Sequence, residues 1–471
     1  MDRGGGIPYD PKSGEGFSSK EFAFPPSWKC PRRPVTDAAD GAWQRPPLLK
    51  GEQHEQKVCR CRRDGGFPYG RGDWVADVTK DFNAKTPQCH LTSTYKGTYD
   101  QTMTSGIAAH RAGRSPNILQ VFEVGTATMM FSKGAIVPVG ELLDKAGYEF
   151  NPKDYIPAVY GYYSTADGRM LSYPFNSSTT VLYLNLTKFK NAGLPTEPDK
   201  LPRTWPEIEK AAKALKAAGE TCPMTTSWMG WTQLESFSTW HNVEYATLNN
   251  GFGGTGARLM VNSPLHQRHL ENLARMAKEG TFVYKGRGNL ADATFYSGEC
   301  AINMGSSGSL GNIRRNAKFE YMTMPMPYYE GVPDAPQNTA IGGASLWAMA
   351  GKSDEQNRCV AEFFHYLSDP QVQANNHMRT GYLPVTQKAF EIAKASGYYE
   401  KNPGADVAVK QMLKTTDKSR GIRLGYLPNI RTIVDEEFEK IWSGKATAKE
   451  ALDAVVRRGN EQLVRFERVT K

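Results

Sequence analysis

Two hydroxyl-rich stretches of the sequence have residue types that could hold an anion. In the first, residues 174–185 (PFNSSTTVLYLN), four consecutive serines and threonines precede the apolar run VLYL. The apolar run predicts a strand that is buried on both faces. The four hydroxyls need an anion, a ligand or a turn to satisfy them. A Ser/Thr turn that leads into a core strand is therefore as good an interpretation as a binding site.

The second stretch is residues 304–310 (MGSSGSL), a Gly/Ser loop between an expected strand at 301–304 and an expected helix from Leu310. Free backbone N–H groups and the helix dipole would point at one spot there, which suits a phosphate group. No Gly-Lys-Ser/Thr sequence follows, so this is not a Walker loop. Because serines are common at helix starts, a purely structural role is the alternative.

The sequence lacks the usual catalytic patterns. It contains no G-x-S-x-G elbow, no H-E-x-x-H motif and no His/Asp pair at metal-ligand spacing, and its eight histidines are isolated. A hydrolase would therefore lack a nucleophile or a metal. Lone histidines such as His241 and His377 are interpreted as surface or hydrogen-bonded residues. We expect a protein that is not an enzyme and that has no cofactor, no metal and no catalytic residue.

The elements that must position these stretches alternate between helices and strands. Apolar spacing predicts helices over 75–83 and 99–111 and strands over 90–95 and 117–124. This order predicts an α/β lobe with a parallel sheet. Capping boxes at 204–207 and 447–450 predict the starts of two later helices. Further elements are expected as a helix at 265–278, a strand at 340–349 and a helix at 361–367.

Size and composition restrict the class of protein. A chain of 471 residues has room for two domains, and a 39% apolar fraction is that of a rather polar protein. No run of eighteen apolar residues occurs, so no spanning helix is expected. The net charge of +9 comes from Lys and Arg that are interleaved with acids. Such a distribution does not predict a nucleic-acid partner.

The seven cysteines have irregular spacing and include no C-x-x-C pair. Zinc and thioredoxin-like sites are therefore not indicated. The cysteines of the core are interpreted as small buried hydrophobic residues. A bridge between Cys222 and Cys300 is the alternative in an oxidising compartment.

Residues 1–73 differ in character from the rest of the chain. They are dense in Gly, Pro and Arg, and they contain neither apolar periodicity nor the apolar region of a secretory signal. We expect this atypical segment to be disordered, to supply no core strand and to show no signal peptide. Our hypothesis is an out-of-frame or misannotated start, which would leave the first lobe without a central strand.

Nine runs of the sequence carry a family resemblance. They are YKGTYDQTMTSGIAAHRAG (95–113), ILQVFEVGTATMM (118–130), PFNSSTTVLYLN (174–185), GWTQLESFSTW (230–240), SSGSLGNIR (306–314), DAPQNTAIGGASLW (334–347), TGYLPVT (380–386), YYEKNPGAD (398–406) and LPNIR (427–431). Together they resemble the sn-glycerol-3-phosphate-binding periplasmic proteins, which are extracytoplasmic receptors of an ABC importer. The resemblance covers about residue 75 to the C-terminus.

The resemblance implies a two-lobed periplasmic-binding-protein fold that resembles maltose-binding protein. The ligand cleft would lie at the hinge between two α/β lobes that close on the ligand. The N-terminal lobe would consist of residues 74–178 plus about 340–380. The C-terminal lobe would consist of about 180–338 plus 382–471. Residues 174–185 would then form the first crossing between the lobes.

The resemblance also implies a set of ligand-binding residues. The phosphate would be surrounded by Ser178, Ser306, the backbone N–H of Gly343, the hydroxyls of Tyr99 and Tyr382, and the guanidinium of Arg431. The glycerol end would contact Glu123 and Trp228, with Trp231 beside it. A planar guanidinium suits phosphate oxygens, and a carboxylate suits two vicinal hydroxyls. Alternatively, Glu123 is a surface salt-bridge acid, and the two tryptophans are core residues on one helical turn.

The function that the resemblance implies is capture of a phosphorylated glycerol. The receptor would bind sn-glycerol 3-phosphate or a glycerophosphodiester such as glycerophosphocholine. It would deliver this ligand from the periplasm to the permease and its ATPase in the membrane. A secreted glycerophosphodiester phosphodiesterase is the alternative, but the sequence lacks the carboxylate and histidine cluster that would hold a metal.

Overall fold

The computed structural model describes residues 59–65 and 72–471, and for residues 59–65, 72 and 73 it describes the backbone alone. Expectations for residues 1–58 and 66–71 lie outside the described residues. The strands of the described ranges are β1 Cys59–Gly65, β2 Cys89–Tyr95, β3 Ile118–Phe122, β4 Ile136–Val137, β5 Tyr173–Ser178, β6 Thr180–Asn185, β7 Cys222–Thr226, β8 Cys300–Ser306, β9 Tyr321–Met324 and β10 Gly342–Met349.

The first sheet is mixed. Its strand order is β2-β1-β3-β10-β4, and β5 pairs with β10 beside this path. Strands β1, β2 and β3 are parallel, as predicted, but β10 runs antiparallel to β3, β4 and β5. The prediction of a purely parallel sheet is therefore wrong. The reason is that β10 enters this sheet from a much later part of the chain, which local patterns cannot show.

Strand β1 corrects the expectation for residues 1–73. It pairs with the full length of β2, from Cys59 opposite Cys89 to Gly65 opposite Tyr95, and it also pairs with β3. The expectation that this segment supplies no core strand is therefore wrong for residues 59–65. A sheet ladder is made by backbone N–H and C=O groups, so an Arg-rich sequence can occupy a strand position without apolar alternation.

The second sheet has the order β7-β8-β6-β9. Strand β6 lies inside it, antiparallel to both β8 and β9, and all its residues are buried. Val181 and Tyr183 join one hydrophobic cluster, whereas Leu182 and Leu184 join another. This alternation confirms the prediction of a strand buried on both faces. Because β5 belongs to the first sheet and β6 to the second, the chain passes between the sheets at Thr179.

Helices surround both sheets. Helix α2 has the predicted bounds, and the capping boxes predicted at Thr204 and Thr447 are both present. The helices are α1 Gly72–Lys85, α2 Tyr99–Arg111, α3 Thr126–Met130, α4 Val139–Lys145, α5 Pro157–Tyr163, α6 Leu186–Asn191, α7 Trp205–Ala217, α8 Ser236–Trp240, α9 Thr247–Asn250, α10 Pro264–Lys278, α11 Leu290–Tyr296, α12 Leu310–Asn316, α13 Asp354–Leu367, α14 Pro370–Thr380, α15 Gln387–Ala395, α16 Tyr398–Lys401, α17 Val407–Gln411, α18 Leu427–Trp442 and α19 Ala448–Thr470.

Two disulfides tie distant parts of the fold. Cys222 of β7 is joined to Cys300 of β8, which confirms the bridge that the sequence left open. Cys89 of β2 is joined to Cys359 of α13, so their interpretation as simple buried hydrophobic residues is wrong. The second pair is 270 residues apart, and only the fold brings its members together. Among the described helices, none is long and apolar enough to cross a membrane.

Candidate functional site

A cavity lies where the chain passes from the first sheet to the second. All nine residues that the sequence predicts as ligand-binding line it, although their contact with a ligand stays a prediction. Residues of both sheets and of the helices around them form its wall. They are Tyr99, Phe122, Glu123, Ser178, Trp228, Trp231, Asn289, Asp292, Ser306, Gly308, Ser309, Asn312, Gly342, Gly343, Tyr382 and Arg431.

The pairing of β5 with β10 brings backbone close to the cavity. Ser178 is opposite Gly342, and Ser177 is opposite Gly343. Gly343 has a φ of 89°, and a Cβ there would lie 1.8 Å from the carbonyl oxygen of Asn176. Only glycine fits such a position. Because Ser177 and Ser178 lie in a strand, the interpretation of this stretch as a Ser/Thr turn is wrong.

Three further hydroxyl groups reach the cavity from other elements. Ser306 ends β8, and its Oγ accepts a hydrogen bond from the backbone N–H of Gly308 at 3.1 Å. The ring of Tyr382 lies so close to Gly308 that a Cβ on this glycine would be 2.8 Å from it. The Oη of Tyr99 accepts a hydrogen bond from the amide of Asn176 at 2.9 Å. Hydrogen bonds therefore hold the hydroxyls of Ser306 and Tyr99, and close packing against Gly308 holds the ring of Tyr382.

The two tryptophans reach the cavity from different backbone conformations. Trp228 has a left-handed φ of 53°, and its N–H donates to the carbonyl of Gly288 at 2.6 Å. Trp231 begins a π-helix, Trp231–Glu235, and its indole N–H donates to the carbonyl of Ile341 at 3.3 Å. The carbonyl of Trp228 accepts from the N–H of Thr232 at 2.8 Å, so the two tryptophans lie on one helical turn as predicted, with Trp228 at its start. The left-handed backbone of Trp228 prevents the helix from extending further toward the N-terminus.

Three charged side chains meet at one end of the cavity, and we call them the charged trio: Arg431, Glu123 and Glu235. Arg431 of α18 donates from Nε and Nη2 to the two oxygens of Glu235, at 2.9 and 2.8 Å. Its Nη2 also lies 2.9 Å from Oε1 of Glu123. All three side chains are buried, with 11%, 6% and 4% exposed for Arg431, Glu123 and Glu235. Glu123 is therefore not a surface acid.

Burial and mutual charge shift the pKa values around the trio. Burial raises the pKa of Glu123 to about 7, because the opposing effect of Arg431 is weakened by the negative charge of Glu235. Burial alone would lower the pKa of Arg431, but the two carboxylates outweigh it and hold that pKa above its usual range. Burial likewise raises the pKa of Asp435 to about 6 and raises that of Asp100.

Several polar groups at the site were not predicted. Glu235 is 196 residues from Arg431, so no local spacing reveals their pairing. Asp292 lies on the cavity wall and accepts hydrogen bonds from Ser227 and, at 2.7 Å, from Ser309. Ser309 belongs to the Gly/Ser loop that the sequence did single out. No motif in the sequence marks Asp292 as a site residue.

The chemistry of the cavity is that of binding. Hydroxyl side chains and a glycine backbone line the cavity together with an arginine, which suits an anion. Indole rings and carboxylates lie beside them, which suits carbon-bound hydroxyls. Among the described residues, no group of three or more His, Cys, Asp and Glu side chains could hold a metal ion.

Comparison with known proteins supports the same class. The model of the family of bacterial extracellular solute-binding proteins matches residues 77–406. The sn-glycerol-3-phosphate-binding periplasmic protein UgpB of Escherichia coli strain K12 is 49% identical over 403 residues, which cover 85% of this chain and 91% of that relative. The protein of the same name from Shigella flexneri is 48% identical over the same shares.

Solved structures agree in fold. UgpB from Mycobacterium tuberculosis, in complex with glycerophosphocholine, has a TM-score of 0.71 at 22% identity and covers 85% of this chain and 98% of its own. Maltose-bound T. maritima MalE3 has a TM-score of 0.70 at 13% identity, with coverages of 85% and 98%. These are two-lobed proteins, so the predicted two-lobed α/β fold is confirmed. The chain belongs to the family of bacterial extracellular solute-binding proteins.

Proposed function

We propose that this protein is the solute-binding receptor of an ABC importer and that it captures sn-glycerol 3-phosphate or glycerophosphodiesters. It delivers them to the permease and ATPase in the membrane. The observation that carries this proposal is 49% identity to a sn-glycerol-3-phosphate-binding periplasmic protein over 91% of that relative. A periplasmic location follows from the same relationship, and two disulfides suit an oxidising compartment.

The phosphate group binds at the hydroxyl-rich wall of the cavity. Ser178, Ser306, Tyr99 and Tyr382 supply O–H groups, and Gly343 supplies a backbone N–H. Arg431 supplies Nη1, since its Nε and Nη2 already donate to carboxylates. Each bond to a charged phosphate is worth about 1.5–3 kcal/mol, which offsets the desolvation of the anion.

The glycerol part binds next to the phosphate group, since Glu123 lies 2.9 Å from Nη2 of Arg431. Glu123 accepts from or donates to the glycerol hydroxyls, depending on its protonation. The indole faces of Trp228 and Trp231 cover the carbon skeleton. This assignment is supported by the position of all three residues on the wall of one cavity.

Closure of the lobes encloses the ligand. The cavity has a volume of about 40 Å³, far less than the roughly 300–1,000 Å³ of a usual ligand pocket. Entry of sn-glycerol 3-phosphate therefore requires the walls of the cavity to separate. We assign residues 74–178 plus about 340–380 to one lobe, and about 180–338 plus 382–471 to the other. This division is supported by the passage of the chain between the sheets at Thr179.

Calorimetric titration of the full chain tests the proposal. We expect saturable binding of sn-glycerol 3-phosphate or glycerophosphocholine at one ligand per chain, without release of glycerol or choline. Glycerol is the matched control ligand, because it lacks the phosphate, and it should bind far more weakly. Absence of binding by both phosphorylated ligands, or turnover of the diester, would contradict the proposed function.

A further inference from the structure

The charged trio has an unbalanced charge at the point where an anion is expected to bind. One guanidinium faces two carboxylates, and all three side chains are buried. With both carboxylates ionised, one negative charge is left over. A phosphate group placed beside the trio adds further negative charge in a poorly solvated place, which is unfavourable.

The other charged and titratable groups around Glu123 do not cancel this charge. Asp435 lies on α18 with Arg431, and Asp100 lies on α2, so both add negative charge when ionised. The remaining groups are tyrosines: Tyr162 and Tyr163 of α5, and Tyr99 of α2. The Oη of Tyr162 donates to the backbone carbonyl of Glu123 at 3.1 Å and not to its carboxylate.

The two carboxylates of the trio are bound unequally. Glu235 accepts from both Nε and Nη2 of Arg431, in the fork geometry that fixes a guanidinium plane. Glu123 contacts Nη2 through one oxygen only. Protonation of Glu123 would therefore give up one contact, whereas protonation of Glu235 would disturb two. Of the two, Glu123 is the group that can accept a proton at the smaller cost.

We propose that Glu235 is a positioning residue that holds Arg431 at the cavity, and that Glu123 takes up a proton when a phosphorylated ligand binds. The inference rests on the proposed function and adds a proton to the bound complex. The proton comes from solvent and goes to a carboxylate oxygen of Glu123. The trio then becomes neutral, and the new O–H donates a hydrogen bond to a ligand oxygen.

The protonation equilibrium of Glu123 suits this role. Burial already raises its pKa to about 7 in the ligand-free protein. At about pH 8 roughly a tenth of the molecules carry this proton before ligand arrives. An added anion raises the pKa further, so the bound protein carries more protons than the free one. Affinity should then weaken by up to about tenfold for each pH unit above this range.

The test is a count of protons taken up on binding. The full chain is titrated with sn-glycerol 3-phosphate and with glycerophosphocholine at about pH 8, where neither phosphate changes its protonation. The titrations are repeated in HEPES and in Tris, whose ionisation enthalpies differ. The difference in apparent enthalpy gives the proton number. We expect an uptake of more than about half a proton per ligand.

Three variants locate the proton. In Glu123→Gln the uptake should disappear and the affinity, whatever its level, should no longer depend on pH above about 7, because the amide cannot take up a proton. In Glu235→Gln the uptake should also disappear, because the trio is already neutral, and a merely structural role would not change the proton number. Glu437→Gln is the matched control, since Glu437 is a buried carboxylate of α18 that contacts Lys440 and Arg458 outside the cavity wall. The number of protons taken up by Glu437→Gln should equal that of the wild type.

The possible outcomes separate this inference from the proposed function. Normal binding without proton uptake in the wild type would overturn the inference and leave the proposed function intact. Uptake that persists in Glu123→Gln but disappears in Asp435→Asn would also overturn it, as would an affinity of Glu123→Gln that still falls with pH above about 7. Failure of the wild type to bind either ligand would defeat the proposed function, and this inference with it.

Discussion

Two clusters of buried titratable side chains differ in their partners: one consists of charged groups that contact each other, and the other has only neutral partners. The charged trio contains a full positive charge and two carboxylates, and two of its members, Arg431 and Glu123, line the cavity. The second cluster, which we call the histidine cluster, consists of His241, His266 and His269. All three histidines are buried and do not line the cavity.

The partners of the histidine cluster are neutral. His241 donates from Nδ1 to the carbonyl of Phe237 at 2.8 Å and accepts from the N–H of Tyr329 at 2.9 Å. His266 lies between two serine hydroxyls, at 2.9 and 2.7 Å. His269 contacts the amide oxygen of Gln233 at 3.1 Å and stacks on Phe237 with centroids 3.9 Å apart. Such partners suit an uncharged imidazole.

The difference teaches where a proton is useful and where it is harmful. A proton on the trio removes an excess negative charge beside an anion site. A proton on the histidine cluster creates a buried cation without a counter-ion, because burial disfavours the charged form. We therefore expect changes in the trio to act on binding and changes in the histidine cluster to act on stability.

The largest expected effect comes from Arg431→Ala. Truncation of Arg431 takes away the Nη1 donor to the phosphate and leaves that anion beside two buried carboxylates, which costs roughly 2–5 kcal/mol of binding free energy. Affinity for sn-glycerol 3-phosphate, measured by calorimetry, should fall by about a hundredfold. Arg431→Lys keeps the charge but loses the planar fork, so its loss should be smaller.

Arg458→Ala is the control for this prediction. Arg458 also contacts two glutamates, Glu436 and Glu437, both at 2.6 Å, but it does not line the cavity. Its removal should leave the affinity unchanged. An Arg431→Ala variant that binds within a few-fold of the wild type would remove the trio from the site and erase the contrast with the histidine cluster.

The second-largest effect is expected from acidification, which should destabilise the fold by protonating the histidine cluster. Burial lowers the pKa of His241 to about 4 and that of His266 to about 3. Because these values lie below the usual pKa of about 6.5 in an unfolded chain, their stabilisation is present above pH 6.5 and is lost as the pH falls toward 4 and 3. For His241 alone the loss is roughly 3 kcal/mol.

The melting temperature of the ligand-free protein measures this loss. It should be steady above about pH 6.5 and fall steeply below it. His241→Gln should flatten the fall, since the glutamine cannot take up a proton. The exposed His90 is the control, and His90→Gln should leave the curve unchanged. A melting temperature that stays constant down to about pH 4 would contradict the assignment of neutral, buried histidines.

Local signals in the sequence were sufficient for part of this picture. The strand β6 and the helix α2 were predicted from apolar periodicity and flanking residues. Both signals come from residues that are close together in the sequence. The nine cavity residues came from a family resemblance, because hydroxyls and glycines at separate loops carry no spacing that links them. Their chemistry was interpretable only once they were seen as one group.

Contacts between distant residues were beyond prediction for a physical reason. Glu235 meets Arg431, and Cys89 meets Cys359, only because the sheets and helices pack in one particular arrangement. The spacing of Trp228 from Trp231 did predict their shared helical turn, but it could not predict the left-handed conformation of Trp228 or the hydrogen bond of its backbone N–H to Gly288. Topology and tertiary bonds decided these positions.

The smallest effect is expected from Trp228→Ala. It extends the comparison to two tryptophans, Trp228 at the cavity and Trp205 beside the histidine cluster. Trp228 lies on the cavity wall, and its left-handed backbone carries a strain of about 1–3 kcal/mol. Loss of its indole should weaken ligand binding about tenfold and reduce the fluorescence change on ligand addition, with little loss of stability. Trp205 is the matched residue, because it is buried in contact with His269 at a centroid distance of 4.6 Å.

Trp205→Phe should have the opposite profile, with a lower melting temperature and unchanged affinity. The core position loses packed volume against the histidine cluster, whereas the cavity keeps all its groups. If Trp228→Ala left both affinity and fluorescence unchanged, Trp228 would be a structural residue like Trp205. The site would then hold its ligand through the charged trio and the hydroxyl groups, with Trp231 alone as aromatic cover for the glycerol carbons.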